Sequence, residues 1–294
     1  MGLLRIVSVV IAAILLWLPE SSNAQQSPAD IMQTLNFQSG NITVGDKLAQ
    51  ISLSNNFRYL NNADTQTFLT KIWNNPPGAG ESSLGMMVPV DPSPLSASGW
   101  VAVVSYEASG YVDDDDAGKI DYDKLLKEMQ EAVREASKAR VAKGYEEIEL
   151  LGWAKSPYYD ASAKKLYWAR RLRFGDSRDE TLNFAIRILG RRGVLELNVV
   201  APMDALPSIE ARIDSVLAMV SFSPGNTYAE YDSKVDQAAA YGLAGLIAGG
   251  ILTKAGFFKG LLALLLASKK IVAIGFFALL AGLWTGTKRF FSKK

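Results

Sequence analysis

Acidic side chains are concentrated in one short stretch that could carry chemistry. Four consecutive aspartates occupy positions 113–116, and a further acid follows where a helix is predicted to begin. Adjacent carboxylates repel one another unless a cation or hydrogen-bond donors neutralise them, and hard cations prefer such oxygen ligands. The sequence therefore offers a candidate divalent-cation site, consisting of Asp113, Asp115, Asp116 and Asp121.

The acidic run departs from the calcium-loop pattern, however. Counted from Asp113, Ala117 replaces the acid of position 5, and Lys124 replaces the bidentate glutamate of position 12. A solvated acidic turn before a helix explains the same residues, because a helix N-terminus favours negative charge. Both interpretations remain open.

Arginines form the second candidate. Guanidinium groups suit the phosphates and carboxylates of lipids or cell-wall polymers, so four of them form a candidate anion-binding set: Arg171, Arg173, Arg191 and Arg192. The alternative is surface pairing with the abundant acids. The sequence contains no Cys and no His, which excludes cysteine nucleophiles, His or Cys zinc sites and Ser-His-Asp triads. No catalytic residue is assigned, and no cofactor is expected.

The elements that position these residues indicate an α+β fold, with a mainly antiparallel sheet and a few packed helices. Strand patterns at 165–174, 181–189 and 194–200 are joined by turns too short for a crossover, so they predict an antiparallel meander. Apolar residues at helical spacing predict one helix from position 121 or 122 to Gly144 and another over 204–219. Residues 25–39 are expected to be loosely ordered.

Both ends of the chain are apolar. Residues 1–24 match a secretory signal, with a basic start, a short apolar core and small residues before Gln25. Residues 25–237 form the predicted extracytoplasmic domain, with 22 Lys and Arg against 29 Asp and Glu, a net charge of −7. This acidic balance argues against nucleic-acid binding.

Residues 238–294 form the predicted membrane anchor, with eight Lys and Arg, no acid and transmembrane or interfacial helices. Residues 271–287 make the best span, and residues 238–253 make a second candidate. Gly245 and Gly249 have a spacing that permits close helix approach and self-association, and Trp284 is placed to anchor at the interface. The number of crossings remains open.

Several motifs together resemble a known family. They are Gly110-Tyr-Val-Asp-Asp-Asp-Asp-Ala117, Leu189-Gly-Arg-Arg-Gly-Val-Leu195 and Ala240-Tyr-Gly-Leu-Ala244. This set resembles an uncharacterised bacterial family of predicted membrane-anchored proteins, the domain of unknown function DUF2167. The resemblance implies a bacterial source and membrane anchoring, and it supplies no activity. A weaker likeness, at the level of the fold, is to extracytoplasmic PsbP-like modules.

These observations predict a non-enzymatic module with its main domain outside the bacterial cytoplasmic membrane. Its expected partners are the lipid bilayer and an envelope protein or cell-wall component. Two alternatives remain: an enzyme that uses carboxylates or a divalent metal on an envelope component, and an oligomeric membrane protein built on the glycine-rich span. Convergent carboxylates in a concave pocket would favour the enzyme.

Overall fold

The computed structural model describes residues 27–75, 77–142 and 146–249. The predicted signal at 1–24, the predicted span at 271–287 and Trp284 lie outside these residues. The strands are β1 (Asn41–Val44), β2 (Ala49–Ser52), β3 (Phe57–Asn61), β4 (Ser83–Pro89), β5 (Ala102–Glu107), β6 (Ile148–Asp160), β7 (Lys165–Phe174), β8 (Thr181–Leu189), β9 (Val194–Pro202) and β10 (Val220–Phe222). The helices are α1 (Pro28–Thr34), α2 (Asn62–Thr67, continued as a π-helix over Phe68–Ile72), α3 (Tyr122–Val141), α4 (Leu206–Glu210), α5 (Ile213–Met219) and α6 (Leu243–Ala248).

Two antiparallel sheets organise the domain, which confirms the predicted α+β class. The larger sheet has the order β3-β4-β5-β9-β8-β7-β6, and the smaller has the order β1-β2-β10. The predicted meander of β7, β8 and β9 is confirmed, with Lys165 opposite Ile188 and Leu189 opposite Val194. Strand β5 pairs with β9 across a long stretch of sequence, so the first and second halves of the chain share one sheet.

The larger sheet has two differently covered faces, because strand side chains alternate between them. Its first face packs against the smaller sheet and against α4 and α5, in a core that includes Phe57, Trp100 and Phe184. Its second face is covered at one end by α3 and α6, over Trp168 and Leu172. At the other end, α2 and its π-helical continuation cover Leu60 and Met86.

Helix α3 forms because its sequence supplies both a cap and a buried stripe. The Asp121 side chain accepts from the backbone amides of Asp123 and Lys124, at 3.1 and 2.9 Å. Leu125, Met129 and Val133 recur every four residues and are buried. The helix ends at Val141, close to the predicted stop.

Two expectations about local structure were wrong. Residues 25–39 are not loosely ordered throughout, because Ser27 and Asp30 form a capping box that begins α1. The single helix predicted over 204–219 is instead divided into α4 and α5, which are separated at Ala211 and Arg212.

Residues that follow the predicted end of the domain at position 237 pack against the domain. Helix α6 lies within the predicted anchor, yet Leu243, Leu246 and Ile247 are buried against α3 and the sheet. Apolar and small residues suit a packed helix as well as a membrane one, so composition did not distinguish the two. Across residues 27–75, 77–142 and 146–249, no helix combines the length and apolar character that crossing a membrane requires.

Candidate functional site

Residues 224–249, here called the connector, run from the last strand to the end of α6. Two segments of the domain hold them, residues 110–116 and residues 190–193, here together called the clamp. Backbone hydrogen bonds join the two: the Tyr111 amide donates to Gln237 at 2.8 Å, and the Ala239 amide donates to Tyr111 at 2.7 Å. The Arg191 amide donates to the carbonyl of Asn226 at 2.9 Å. Backbone hydrogen bonds therefore hold the connector against the clamp at residues 226, 237 and 239.

Asp236 is the acceptor at the arginine side of the clamp. Arg191 Nε and Arg192 Nε each donate to one of its carboxylate oxygens at 2.6 Å, and the Asp236 side chain has no exposed surface. Burial alone would raise the pKa of Asp236, but the hydrogen bonds from Arg191, the Asp232 backbone and Arg192 lower it to about 2. The carboxylate is therefore ionised at neutral pH and joins the connector to the β8–β9 turn.

Asp114 is the acceptor at the acidic side of the clamp. It accepts from Tyr159 Oη at 2.5 Å, Lys164 Nζ at 2.7 Å and Tyr228 Oη at 2.8 Å. Burial would raise the pKa of Asp114, but its three donors outweigh burial and lower that pKa. Tyr228 belongs to the connector, so Asp114 ties the connector to β6 and the β6–β7 turn.

Stacked tyrosine rings reinforce this contact. The Tyr111 ring lies between the rings of Tyr228 and Tyr231, with centroid distances of 4.4 and 3.8 Å. Lys164 Nζ lies 4.7 Å from the centroid of the Tyr228 ring. Each aromatic pair adds about 0.5–1.5 kcal/mol beyond its buried area.

Asp116 holds the end of the connector by capping α6. Its two carboxylate oxygens accept from the amides of Leu243 and Ala244 at 3.0 and 3.1 Å, which satisfies donors that the helix leaves free. A Cβ at Gly242 would lie 2.8 Å from Asp116 Oδ2, so a glycine is needed for this approach. Helix α6 therefore starts at a fixed position on the domain.

Residues 36–280 of the chain match the family model described as a protein of unknown function (DUF2167). The chain belongs to this family. The predicted resemblance to this family is thereby confirmed, and the three segments that suggested it, at 110–117, 189–195 and 240–244, meet at the clamp.

Two solved structures are similar at low identity. The solution structure of cyanobacterial PsbP (CyanoP) from Synechocystis sp. PCC 6803 is 9% identical, and the match covers 64% of this chain and 92% of that one, with a TM-score of 0.34. LpqN, involved in cell envelope biogenesis of Mycobacterium tuberculosis, is 15% identical, with 68% and 98% covered and a TM-score of 0.29. The comparison with curated proteins returned no match.

The acids of the candidate cation site have separate roles in this DUF2167 domain. Asp113 Oδ1 accepts from the amide of Asp115 at 2.7 Å, while Asp116 and Asp121 cap different helices. Within the part of the chain that the structure describes, no three Asp or Glu side chains are grouped to hold a metal ion. The sequence did not single out Asp114, which has the most partners of the run, since its donors lie 45 to 114 positions away.

The four arginines of the candidate anion set do not lie together. Arg171 and Arg173 are on β7, near Glu180 at 3.8 Å and Glu149 at 3.3 Å. Arg191 and Arg192 lie beyond the other end of β8, bound to Asp236. Each has an acidic neighbour, as the surface-pairing alternative expects, and anion binding at these residues stays a prediction.

The two glycines of the predicted anchor belong to α6. Gly245 is buried, and a Cβ there would lie 2.6 Å from Cβ of Tyr241. Gly249 ends the helix with φ of +77°, a left-handed conformation that glycine adopts easily. In the described domain these glycines serve packing and termination, and self-association through them is untested.

The pKa values of the clamp residues suit a structural contact better than proton transfer. A residue that transfers protons near neutral pH needs a pKa close to that value. The pKa values of Asp114 and Asp236 are instead lowered, while burial and hydrogen bonding to Asp114 raise those of Tyr159 and Tyr228 far above neutrality. Near neutral pH these groups therefore keep one protonation state.

Proposed function

We propose that this DUF2167 protein is a non-enzymatic binding module that is tethered to the bacterial cytoplasmic membrane, with its α+β domain on the extracytoplasmic side. The observation that carries the proposal is the clamped connector. It holds the chain against the domain up to Gly249, so the apolar segment that follows departs from a fixed point. A fixed departure point would orient the domain relative to the bilayer.

Charge supports the same arrangement. The domain is acidic, whereas the segment after it carries only basic charges. Positive residues favour the cytoplasmic side of a span. Because residues 238–249 belong to the domain, residues 271–287 are the natural single crossing, with the C-terminal Lys and Arg inside.

Membrane location is tested by expressing the full chain in a bacterium and separating periplasmic, membrane and cytoplasmic fractions. We expect the chain, shortened by its signal, in the cytoplasmic membrane, resistant to carbonate extraction and open to protease from the periplasmic side. A matched variant with Ile274→Lys and Leu280→Lys breaks the proposed span and should be released by carbonate. A wild-type chain that carbonate releases would overturn the tether.

Binding is tested by crosslinking the tethered protein in native membranes and identifying what is captured. An envelope protein or cell-wall fragment captured by the wild type, and lost when domain surface residues are changed, would support the module. If the chain instead crosslinks only to itself, the oligomeric membrane protein becomes the better interpretation.

A further inference from the structure

A second group of polar side chains lies away from the clamp, on the second face of the larger sheet. Arg170 and Asn183 are directly opposite each other on β7 and β8. They are 7% and 2% exposed, respectively. Opposed residues on one face of a sheet have Cβ atoms about 4.5–5.5 Å apart, so these two side chains share one site.

Their donors lack partners. Within the described residues, Arg170 Nε, Asn183 Nδ2 and the neighbouring Trp168 Nε1 are buried and form no hydrogen bond. Each of the three is an N–H group with no capacity to accept. Buried polar groups are normally satisfied, and a donor left without a partner costs about 1–3 kcal/mol. Three such donors on one face therefore point to an acceptor-rich ligand.

Among the described residues, no carboxylate compensates the charge of Arg170 either. Its Nη2 donates a 3.4 Å hydrogen bond to the carbonyl of Ile247, and its Cζ lies 5.5 Å from the Trp168 ring centroid. The adjacent Arg187 also has an Nε that forms no hydrogen bond of normal geometry, but the Glu196 carboxylate lies 2.9 Å from it and supplies a counter-charge, and Nη1 donates to Asn198. Burial and the charge of Arg187 lower the pKa of Arg170 to about 9, so it is still protonated at neutral pH. A buried cation without an anion is costly.

The site borders an open part of the sheet. Val200 lies opposite Asn183 and Asn198 lies opposite Ala185, and both β9 residues are only half-buried. On β5, Val103 is opposite Asn198 and is also half-buried. This strip lies between the α3–α6 cover and the α2 cover, and a ligand could enter along it.

We propose that Arg170, Asn183 and Trp168 form an oxyanion-binding site for a phosphate or carboxylate group. The guanidinium of Arg170 supplies the charge, and the amide and indole N–H groups supply further donors. Ile247 places the site under the last turn of the connector, two residues before Gly249. The oxyanion comes either from a small solute or from the headgroup of an anionic lipid, and the chemistry is the same.

The test uses the full chain in lipid nanodiscs and measures its melting temperature. One series adds inorganic phosphate to phosphatidylcholine discs, and a second replaces part of the phosphatidylcholine by phosphatidylglycerol. A ligand that binds only the folded chain raises the melting temperature with its concentration. If a soluble anion is enough to occupy the site, inorganic phosphate should raise the melting temperature. If a lipid headgroup is required, only phosphatidylglycerol should raise it.

Arg170→Met should weaken the apparent affinity by on the order of tenfold or more, because a charge-assisted hydrogen bond is lost. Arg178→Met is the matched control, since it removes the same charge from an exposed residue of the β7–β8 turn, away from the site. It should respond as the wild type does. Equal responses from Arg170→Met and the wild type, or no response in either series, would overturn the site.

A second variant, Asn183→Asp, tests the same site if Arg170→Met folds poorly. It places a carboxylate of nearly the same shape opposite Arg170, where it should substitute for the ligand. We expect a higher melting temperature than the wild type without ligand, and loss of the response to it. A lower melting temperature together with a normal response would contradict the proposal.

Discussion

The clamp and the site proposed at Arg170, Asn183 and Trp168, here called the second-face site, both contain buried polar side chains. Their hydrogen-bonding groups are satisfied differently. In the clamp, Asp114 and Asp236 accept from tyrosine, lysine and arginine donors that belong to the same chain. In the second-face site, Arg170 and Asn183 have donors that nothing in the described residues accepts. The described residues therefore satisfy the acceptors of the clamp but not all the donors of the second-face site.

This difference separates the charged residues that are paired within the domain from those that are candidates for binding a ligand. The acidic run and the paired Arg191 and Arg192 are conspicuous in the sequence, and their partners in the structure are internal. Arg170 stands among other arginines on an ordinary strand, yet it is buried and no carboxylate of the described residues pairs with it. A buried charge with an internal partner is explained by the fold, whereas a buried charge without one points to a ligand.

The largest expected effect is at Asp114. Asp114→Ala removes the acceptor of three donors, and we expect the free energy of unfolding to fall by about 2–3 kcal/mol because buried donors are left unpaired. Asp113→Ala is the matched control, since Asp113 is exposed, and its cost should stay within about 0.5 kcal/mol. Urea unfolding of both variants measures the contrast. Equal losses of unfolding free energy in the two variants would show that Asp114 contributes no more to stability than an exposed aspartate does.

A pH effect is expected at Asp236. Its pKa in the folded chain is about 2, below the ordinary 3.8, so the stability that it contributes is complete above the ordinary value. That contribution is lost as the pH falls from about 4 towards 2. In Asp236→Asn, the urea midpoint should be lower at pH 6 and should fall less between pH 4 and pH 2. Parallel pH profiles for the two proteins would contradict the clamp.

A smaller and more local effect is expected at Asp116. Asp116→Ala removes the cap of α6 at a cost of about 1 kcal/mol. Hydrogen exchange should quicken in α6 and remain unchanged in β8. Asp115→Ala provides the control, because this neighbouring side chain is exposed and caps no helix. Faster exchange in the control variant as well would show that loop disturbance, not capping, controls α6.

The smallest effect is expected at Arg173. Its pair with Glu149 is 3.3 Å long, and both side chains are well exposed to solvent. Exposed pairs contribute little, so Arg173→Ala should change the free energy of unfolding by less than about 0.5 kcal/mol. A loss of unfolding free energy near that of Asp114→Ala would show that an exposed charge pair contributes as much to stability as the buried contacts of the clamp do.

The sequence predicted the parts of the fold that local signals determine. The β7–β8–β9 meander follows from alternating residues around short turns, and α3 follows from its cap and apolar stripe. Long-range pairing left no such signal. Nothing local indicates that β5 joins β9, or that β10 joins β2, since the partners are far apart in sequence.

The candidate site was predictable only in part. The acidic run and the arginine pair were recognised, but their partners were not, because Tyr228 and Asp236 lie in the connector, far from both. Helix α6 was taken for a membrane element since its composition suits either environment. Arg170 was not singled out because its burial depends on α6, whose place on the sheet no local pattern reveals.

Hydrogen exchange of the full chain in lipid nanodiscs tests the clamped connector most directly. The amides of Arg191, Ala239 and Leu246 are hydrogen-bonded in the structure. If the clamp holds, peptides covering residues 226–249 should exchange far more slowly than an unstructured chain and should lose that protection in Asp114→Ala. Exchange at the unstructured rate in the wild type, with β8 still protected, would show that the connector is not held against the domain.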